Sequence, residues 1–299
     1  MISIAHLGPL GTYAEQAALY YVSWLTKTTN TEAYLRPYPS IFQTLDSVAN
    51  GQADLAVVPV ENSIQGGVTV TLDTLWQLEN LQIQLALVMP ITHALISCSQ
   101  DLDSIETVYS HPQALAQCQK WLDKFLPNVQ LIPSNSTTEA LQQLKNVKAA
   151  AAISSRRAAQ LYNLPVLANS INDYPENCTR FWVISQCDNQ SISKMGYRDL
   201  NAQMSVSTTF YTSLAFSVPA NLPGALVKTL QVFVKQNINL SRIESRPTKR
   251  SLGEYLFFID LEANAASIEM QSALAELSNH TEILKIFGSY NVLSTESLF

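Results

Sequence analysis

The chain has 299 residues, 47% hydrophobic and 14% charged, which excludes disordered and fibrous classes and leaves room for about two or three compact units. Its 18 Lys and Arg against 24 Asp and Glu give a formal charge of -6, and no basic run offers a nucleic-acid footprint, so nucleic acid is not expected as a partner. The same acidic balance repels small anions, so an anion site has to be built locally from a few arginines and helix N-termini.

The opening residues, 1–10, lack a charged n-region followed by an apolar h-region, and no apolar run of about 18 residues comes later, which predicts a cytoplasmic protein with no membrane partner. Cys98, Cys118, Cys178 and Cys187 show no C-x-x-C spacing, so neither a zinc site nor a disulfide framework is expected and no metal is assigned.

From the N-terminus, short apolar runs at residues 2–7, 55–60, 107–110, 129–132, 149–153 and 181–185 alternate with helical patterns, the mark of βαβ units around a parallel sheet. Three strand ends run into S/T-x-x-E/Q helix starts, at Thr12 to Glu15, Ser110 to Gln113 and Ser136 to Glu139. Helix N-termini therefore gather at strand ends, where an α/β sheet binds anions. A polar stretch begins at Asp188, and weak periodicity to residue 209 predicts a linker. Beyond it, a strand at 213–218, a helix at 225–236 with Leu226, Leu230, Phe233 and Val234 on one face, strands at 238–246 and 254–262, a helix at 268–277 and a strand at 283–287 complete a βαββαβ order. That is a ferredoxin-like module.

Four segments carry chemistry-bearing residues: Gly8-Pro9-Leu10-Gly11-Thr12-Tyr13-Ala14-Glu15, Val58-Pro59-Val60-Glu61-Asn62-Ser63, Ser110-His111-Pro112-Gln113-Ala114 and Asn177-Cys178-Thr179-Arg180-Phe181. In this order they resemble the motif set of the prephenate dehydratase family, and the resemblance spans nearly the whole chain. It departs from the commonest wording at Cys178, where an aromatic is usual, and at Gln65-Gly66-Gly67, where acidic or serine variants are frequent.

The resemblance implies an α/β fold with a two-lobed catalytic body like type 2 periplasmic binding proteins over residues 1–187, the lobes being 1–80 plus 174–187 and 81–173 with crossings near 82–90 and 167–173. A linker at 188–209, an ACT regulatory domain at 210–292 and a tail at 293–299 would follow. The implied reaction is loss of carbon dioxide and water from prephenate to give phenylpyruvate, with no metal or organic cofactor. Thr179 is then the hydrogen-bond donor to the leaving hydroxyl and Phe181 a wall against the ring, while Arg180 suits a fork for a substrate carboxylate as well as a surface salt bridge. Thr12, Tyr13, Glu61, Asn62, Ser63, Ser110, His111, Gln113 and Asn177 are the expected substrate contacts, although His111 suits a helix cap as well as proton transfer.

Gly224-Ala225-Leu226-Val227 and Glu244-Ser245-Arg246-Pro247 resemble the family's two phenylalanine-binding signatures, with Asn221, Leu222 and Pro223 in the same loop. Phenylalanine as allosteric effector and a homodimer or homotetramer through these domains are the implied partners, the second of the two segments facing another subunit. No long-helix segment precedes residue 7, so a fused chorismate mutase is not expected. Arogenate dehydratase and a non-catalytic amino-acid or dicarboxylate sensor remain open beside the prephenate assignment.

Overall fold

The computed structural model describes residues 1–145, 149–187, 189, 210–219 and 222–295; Asn221 and most of the expected linker lie outside these. The chain runs β1 (Ile2–Leu7), α1 (Tyr13–Thr29), β2 (Ala33–Tyr38), α2 (Ile41–Ala49), β3 (Leu55–Asn62), β4 (Gly66–Gly67), α3 (Thr69–Gln77) and β5 (Leu81–Pro90). It continues β6 (His93–Ser97), β7 (Thr107–Ser110), α4 (Pro112–Gln117), α5 (Gln119–Phe125), β8 (Gln130–Pro133), α6 (Thr137–Gln142), β9 (Ala150–Ser155), α7 (Arg156–Leu161), β10 (Val166–Ala168) and β11 (Cys178–Gln186). The C-terminal part is β12 (Tyr211–Ser217), α8 (Ala225–Lys235), β13 (Leu240–Pro247), β14 (Tyr255–Leu261), α9 (Ile268–Ser278) and β15 (Ile283–Ser294).

Two sheets make the two lobes. The first takes the order β5-β11-β3-β1-β2 and the second β10-β6-β9-β7-β8. Parallel pairing of β1 with β2 and β3, and of β7 with β8 and β9, follows from the intervening helices, which return the chain to the same sheet end. Alternating burial along β2 and over the first half of β5 is why these strands lack a simple apolar run, and β10 has only three residues, all half-buried. β5 lies wholly in the first lobe, paired with β11 over Leu81 to Pro90, so the outward crossing falls at Ile91 and Thr92 rather than within residues 82–90, and residues 81–90 leave the second lobe.

The βαββαβ module is present, with sheet order β13-β14-β12-β15. In α8 the packed face is Thr229, Val232 and Phe233, whereas Val234, expected on that face, is 76% exposed. β15 runs past the module and pairs in parallel with β5, Asn291 against Leu85 through Ser294 against Val88, so residues 293 and 294 form strand where a tail was expected. Ala215, Leu256, Phe258, Phe287 and Tyr290 of the module share one core with Leu45, Leu72, Leu75 and Trp182 of the first lobe. Burial of aromatic area on this scale welds module and body into one packed unit.

Candidate functional site

Between the lobes lies a cleft of about 900 Å³. The helix starts at Thr12, Val68, His111 and Ser136 all line it, so the expected convergence of helix N-termini is what the fold builds. Thr12 and Ser136 cap in the expected way, their hydroxyls accepting from Glu15 N at 3.3 Å and Glu139 N at 3.0 Å. The third start differs: the cap is His111, whose Nδ1 accepts from Gln113 N at 3.3 Å, and Ser110 is fully buried with its hydroxyl donating to Ile153 O at 2.7 Å. Ser110 is therefore a strand-end brace and not a cleft contact. Val68 caps α3 without a side-chain bond, Thr71 N turns back to Val68 O at 3.0 Å, and Thr69 and Val70 of the first turn line the cleft.

β11 places the central residues by its period of two. Thr179 and Phe181 line the cleft, while Arg180 points to the opposite face, where its Nη1 lies 3.3 Å from Asp260 and 3.5 Å from Glu61. Arg180 is thus not a substrate clamp; it neutralises a fully buried aspartate together with Arg242, whose Nε donates to Asp260 at 2.8 Å. Glu61 leaves the cleft for a related reason. A register shift between Arg180 and Phe181 sets Pro59 opposite Phe181 and Glu61 opposite Arg180, so β3 carries an extra residue at Val60. The bulge inverts the alternation, and Pro59 and Asn62, rather than Pro59 and Glu61, reach the cleft.

Asn62 sits directly across from Thr179 in the ladder and joins a buried amide network. Its Oδ1 accepts from Ile64 N at 3.1 Å and Gln65 N at 3.2 Å, and its Nδ2 donates to Thr179 Oγ1 at 3.0 Å and Asn177 Oδ1 at 2.8 Å. Asn177, 1% exposed, donates in turn to Gln117 Oε1 at 3.0 Å. Asn177 is therefore a brace behind the wall, whereas Ser63 is exposed outside the cleft lining, its hydroxyl accepting from Cys178 N at 3.0 Å. Tyr13 and Gln113 line the cleft as expected, with Thr12, Asn62, His111, Thr179 and Phe181. Gln117 and His93 also line it; a periodic helix and an apolar strand respectively carry them, and neither stands in a recognisable motif.

Among the described lining residues none is Lys or Arg, and the one carboxylate, Glu139, is occupied with Asn135 N at 3.0 Å. The helix starts and neutral donors are left to meet a negative ligand. Burial lowers the pKa of His111 and of His93, keeping both neutral near pH 7; with Nδ1 accepting, His111 holds its proton on Nε2.

In the C-terminal module Gly224 takes φ 82° at the start of α8, a conformation that suits glycine, with Leu222 and Val227 exposed beside it and Ala225 and Leu226 half-buried. Glu244 to Pro247 alternate along β13. Ser245 and Pro247 are exposed, and Glu244 and Arg246 turn to the body. Arg246 makes a two-pronged pair with Asp73 of α3 at 2.9 and 3.0 Å, and the Glu244 carboxylate sits so close over Gly67 that a Cβ there would overlap it.

A two-lobed α/β body with a cleft between the lobes and a fused βαββαβ module defines a small-molecule enzyme or sensor with its own regulatory domain. The prephenate dehydratase family model matches residues 4–189 and the ACT domain model residues 212–278. The chain is 40% identical over 97% of its length to a bifunctional chorismate mutase/prephenate dehydratase of Aquifex aeolicus, covering 73% of that protein. It is 36% identical to a prephenate dehydratase of Lactococcus lactis subsp. cremoris, covering 98% of this chain and 99% of the relative. A crystal structure of prephenate dehydratase in complex with L-Phe from Arthrobacter aurescens superposes with TM-score 0.82 at 33% identity, over 97% of this chain and 90% of that one. The chain belongs to the prephenate dehydratase family.

Proposed function

We propose that the chain is a lyase that converts prephenate to phenylpyruvate, water and carbon dioxide, and that Thr179 is the residue nearest the chemistry. The observation that carries this is the Asn62 amide donating to Thr179 Oγ1 at 3.0 Å in a wall of the cleft. With that lone pair occupied, the hydroxyl proton is left for the substrate.

In the reaction the ring carboxylate leaves as carbon dioxide, its bonding electrons enter the ring, and the ring hydroxyl departs with the electrons of its C–O bond as hydroxide, which takes a proton from solvent to become water. A threonine is too weak an acid to surrender that proton outright. It assists instead by a hydrogen bond that strengthens as negative charge grows on the departing oxygen. Phe181 and Pro59 present apolar surface to the ring, and the uncapped start of α3 and the His111 Nε2–H are the donors available to the substrate's carboxylates. Aromatisation supplies the driving force.

Phenylalanine is the proposed effector, bound at the Leu222 to Val227 turn together with Glu244 to Pro247. The exposed outer edge of β13, at the end of the sheet, suits pairing with a second copy, so a homodimer or a pair of dimers is proposed. A cytoplasmic location accords with the lack of disulfides among the described cysteines and of any described helix long and apolar enough to cross a membrane.

The test is turnover of purified protein with prephenate and, separately, with arogenate, following phenylpyruvate and phenylalanine. Phenylpyruvate formed from prephenate, and repressed by added phenylalanine in the parent but not in Gly224→Val, is the expected result. Turnover of arogenate alone would move the assignment to arogenate dehydratase, and turnover of neither would leave a sensor.

A further inference from the structure

We propose that His93 is a positioning residue of this reaction: through Gln117, Asn177 and Asn62 it holds the Thr179 hydroxyl in its donating orientation, and Tyr13 sets the tautomer of the imidazole. The inference rests on the role given to Thr179 above.

The orientation of each group follows from its neighbour. Two backbone N–H groups, of Ile64 and Gln65, converge on Asn62 Oδ1, so the Asn62 amide cannot turn over and its NH₂ must face Asn177 and Thr179. Asn177 then presents its oxygen to Asn62 and its NH₂ to Gln117, which makes Gln117 Oε1 an acceptor. The second group on that oxygen, His93 Nε2 at 2.9 Å, must therefore be a donor N–H. A neutral imidazole with its proton on Nε2 has a bare Nδ1, and the Tyr13 hydroxyl stands 2.9 Å from it. That hydroxyl also donates toward Thr92 O at 2.8 Å, and with the ring neutral its one proton is shared between Thr92 O and the bare Nδ1. His93 is 2% exposed, and burial weighs against the charged ring that would release Tyr13 to Thr92.

The groups belong to different lobes. His93 on β6 and Gln117 on α4 are in the second; Tyr13, Asn62 and Thr179 are in the first. His93 N is itself held by Asn172 Oδ1 at 2.6 Å, and Asn172 Nδ2 donates to Ile91 O at 2.9 Å, so both crossings between the lobes join the same lock. Without the His93 donor, Gln117 is free to turn its NH₂ toward that of Asn177. The resulting clash of donors passes to Asn62, whose two amide protons then redistribute among Asn177 Oδ1, Cys178 O at 3.1 Å and Thr179 Oγ1, loosening the hold on the hydroxyl.

Two measurements test this. In protein labelled with ¹⁵N-histidine, which has four such rings, long-range ¹H–¹⁵N correlations should place His93 in the Nε2–H form throughout about pH 6 to 8. The Nδ1–H form, or a ring that titrates near its ordinary value, would overturn the proposal on the unmodified protein, even if no variant folds. In kinetics, His93→Leu should lower kcat about 10- to 100-fold with KM for prephenate nearly unchanged, because both ring nitrogens of His93 are occupied by Gln117 and Tyr13 and neither is left for the substrate. His93→Gln, whose amide can donate to Gln117 and accept from Tyr13, should recover most of that loss. A folded His93→Leu protein with the parent kcat contradicts the proposal. Should Thr179→Ala itself prove fully active, the role of Thr179 fails, and the tautomer still reports separately on the lock.

Discussion

At the scale of single residues, the adjacent pair Thr179 and Arg180 divides between two tasks. Motif resemblance makes both catalytic, but a strand sends neighbours to opposite faces, and only one of them can meet a ligand in the cleft. Arg180 belongs to the charge balance of Asp260, which also receives Ser213 Oγ at 2.5 Å. Arg180→Met is expected to leave KM for prephenate within about twofold of the parent and to lower stability by about 1–2 kcal/mol, because Arg242 still compensates the buried carboxylate. A KM rise of a hundredfold with unchanged stability would restore the clamp assigned from sequence. His111 shows the same ambiguity resolved the other way: its ring both caps α4 and lines the cleft, so the alternatives that the sequence left open coexist.

At the scale of elements, what was legible was whatever has a period or a cap. The strands at 2–7, 55–60 and 107–110, the caps at Thr12 and Ser136 and the βαββαβ order were readable because local propensity and tertiary role agree there. Glu61 was misplaced because a bulge has no sequence mark, and one extra residue inverts a face. Gln117 and His93 were missed because an amide and an imidazole in apolar surroundings look like ordinary core until their partners, remote in sequence, are brought to them. Residues 81–90 carry no local sign of which sheet they join, and it is pairing with β11 that places β5 in the first lobe.

The same scale holds the link between regulation and catalysis. α3 carries Asp73, held by Arg246 and by Lys249 at 2.9 Å, and its first turn lines the cleft. Those cations hold the Asp73 carboxyl below its ordinary pKa, so the pair persists at all physiological pH. Any movement of β13 on binding an effector is thereby delivered to a cleft wall. Asp73→Asn is predicted to keep kcat within about twofold while raising the phenylalanine concentration for half-inhibition by about fivefold or more. Unaltered inhibition in that variant would show that the signal travels another way.

At the scale of the whole molecule, the sheet that runs from β13 through β15 into β5 and on to β2, and the core shared by Phe258, Tyr290 and Trp182, make module and body one cooperative unit. Its pH response follows from buried histidines. Burial lowers the pKa of His6, His93 and His111 from the ordinary 6.5, so below that value the unfolded chain binds protons that the folded one refuses. Stability is fully present above pH 6.5 and falls as pH drops below it, by at most about 1.4 kcal/mol per pH unit for each fully buried ring. Melting curves should therefore show a flat midpoint above about pH 7 and a decline toward pH 5, shallower in His93→Gln. A midpoint constant across that range would mean the rings titrate normally.

The central claim is that hydroxide departs with help from one hydroxyl group, fixed by Asn62 in a cleft without cationic side chains among its described residues. The most direct measurement is kcat for prephenate in Thr179→Ala and Thr179→Ser beside the parent. The account predicts a loss of about 100- to 1000-fold in the alanine variant, little change in KM, and substantial recovery with serine, which restores the hydroxyl. An alanine variant as fast as the parent, or a serine variant as slow as alanine, would contradict it.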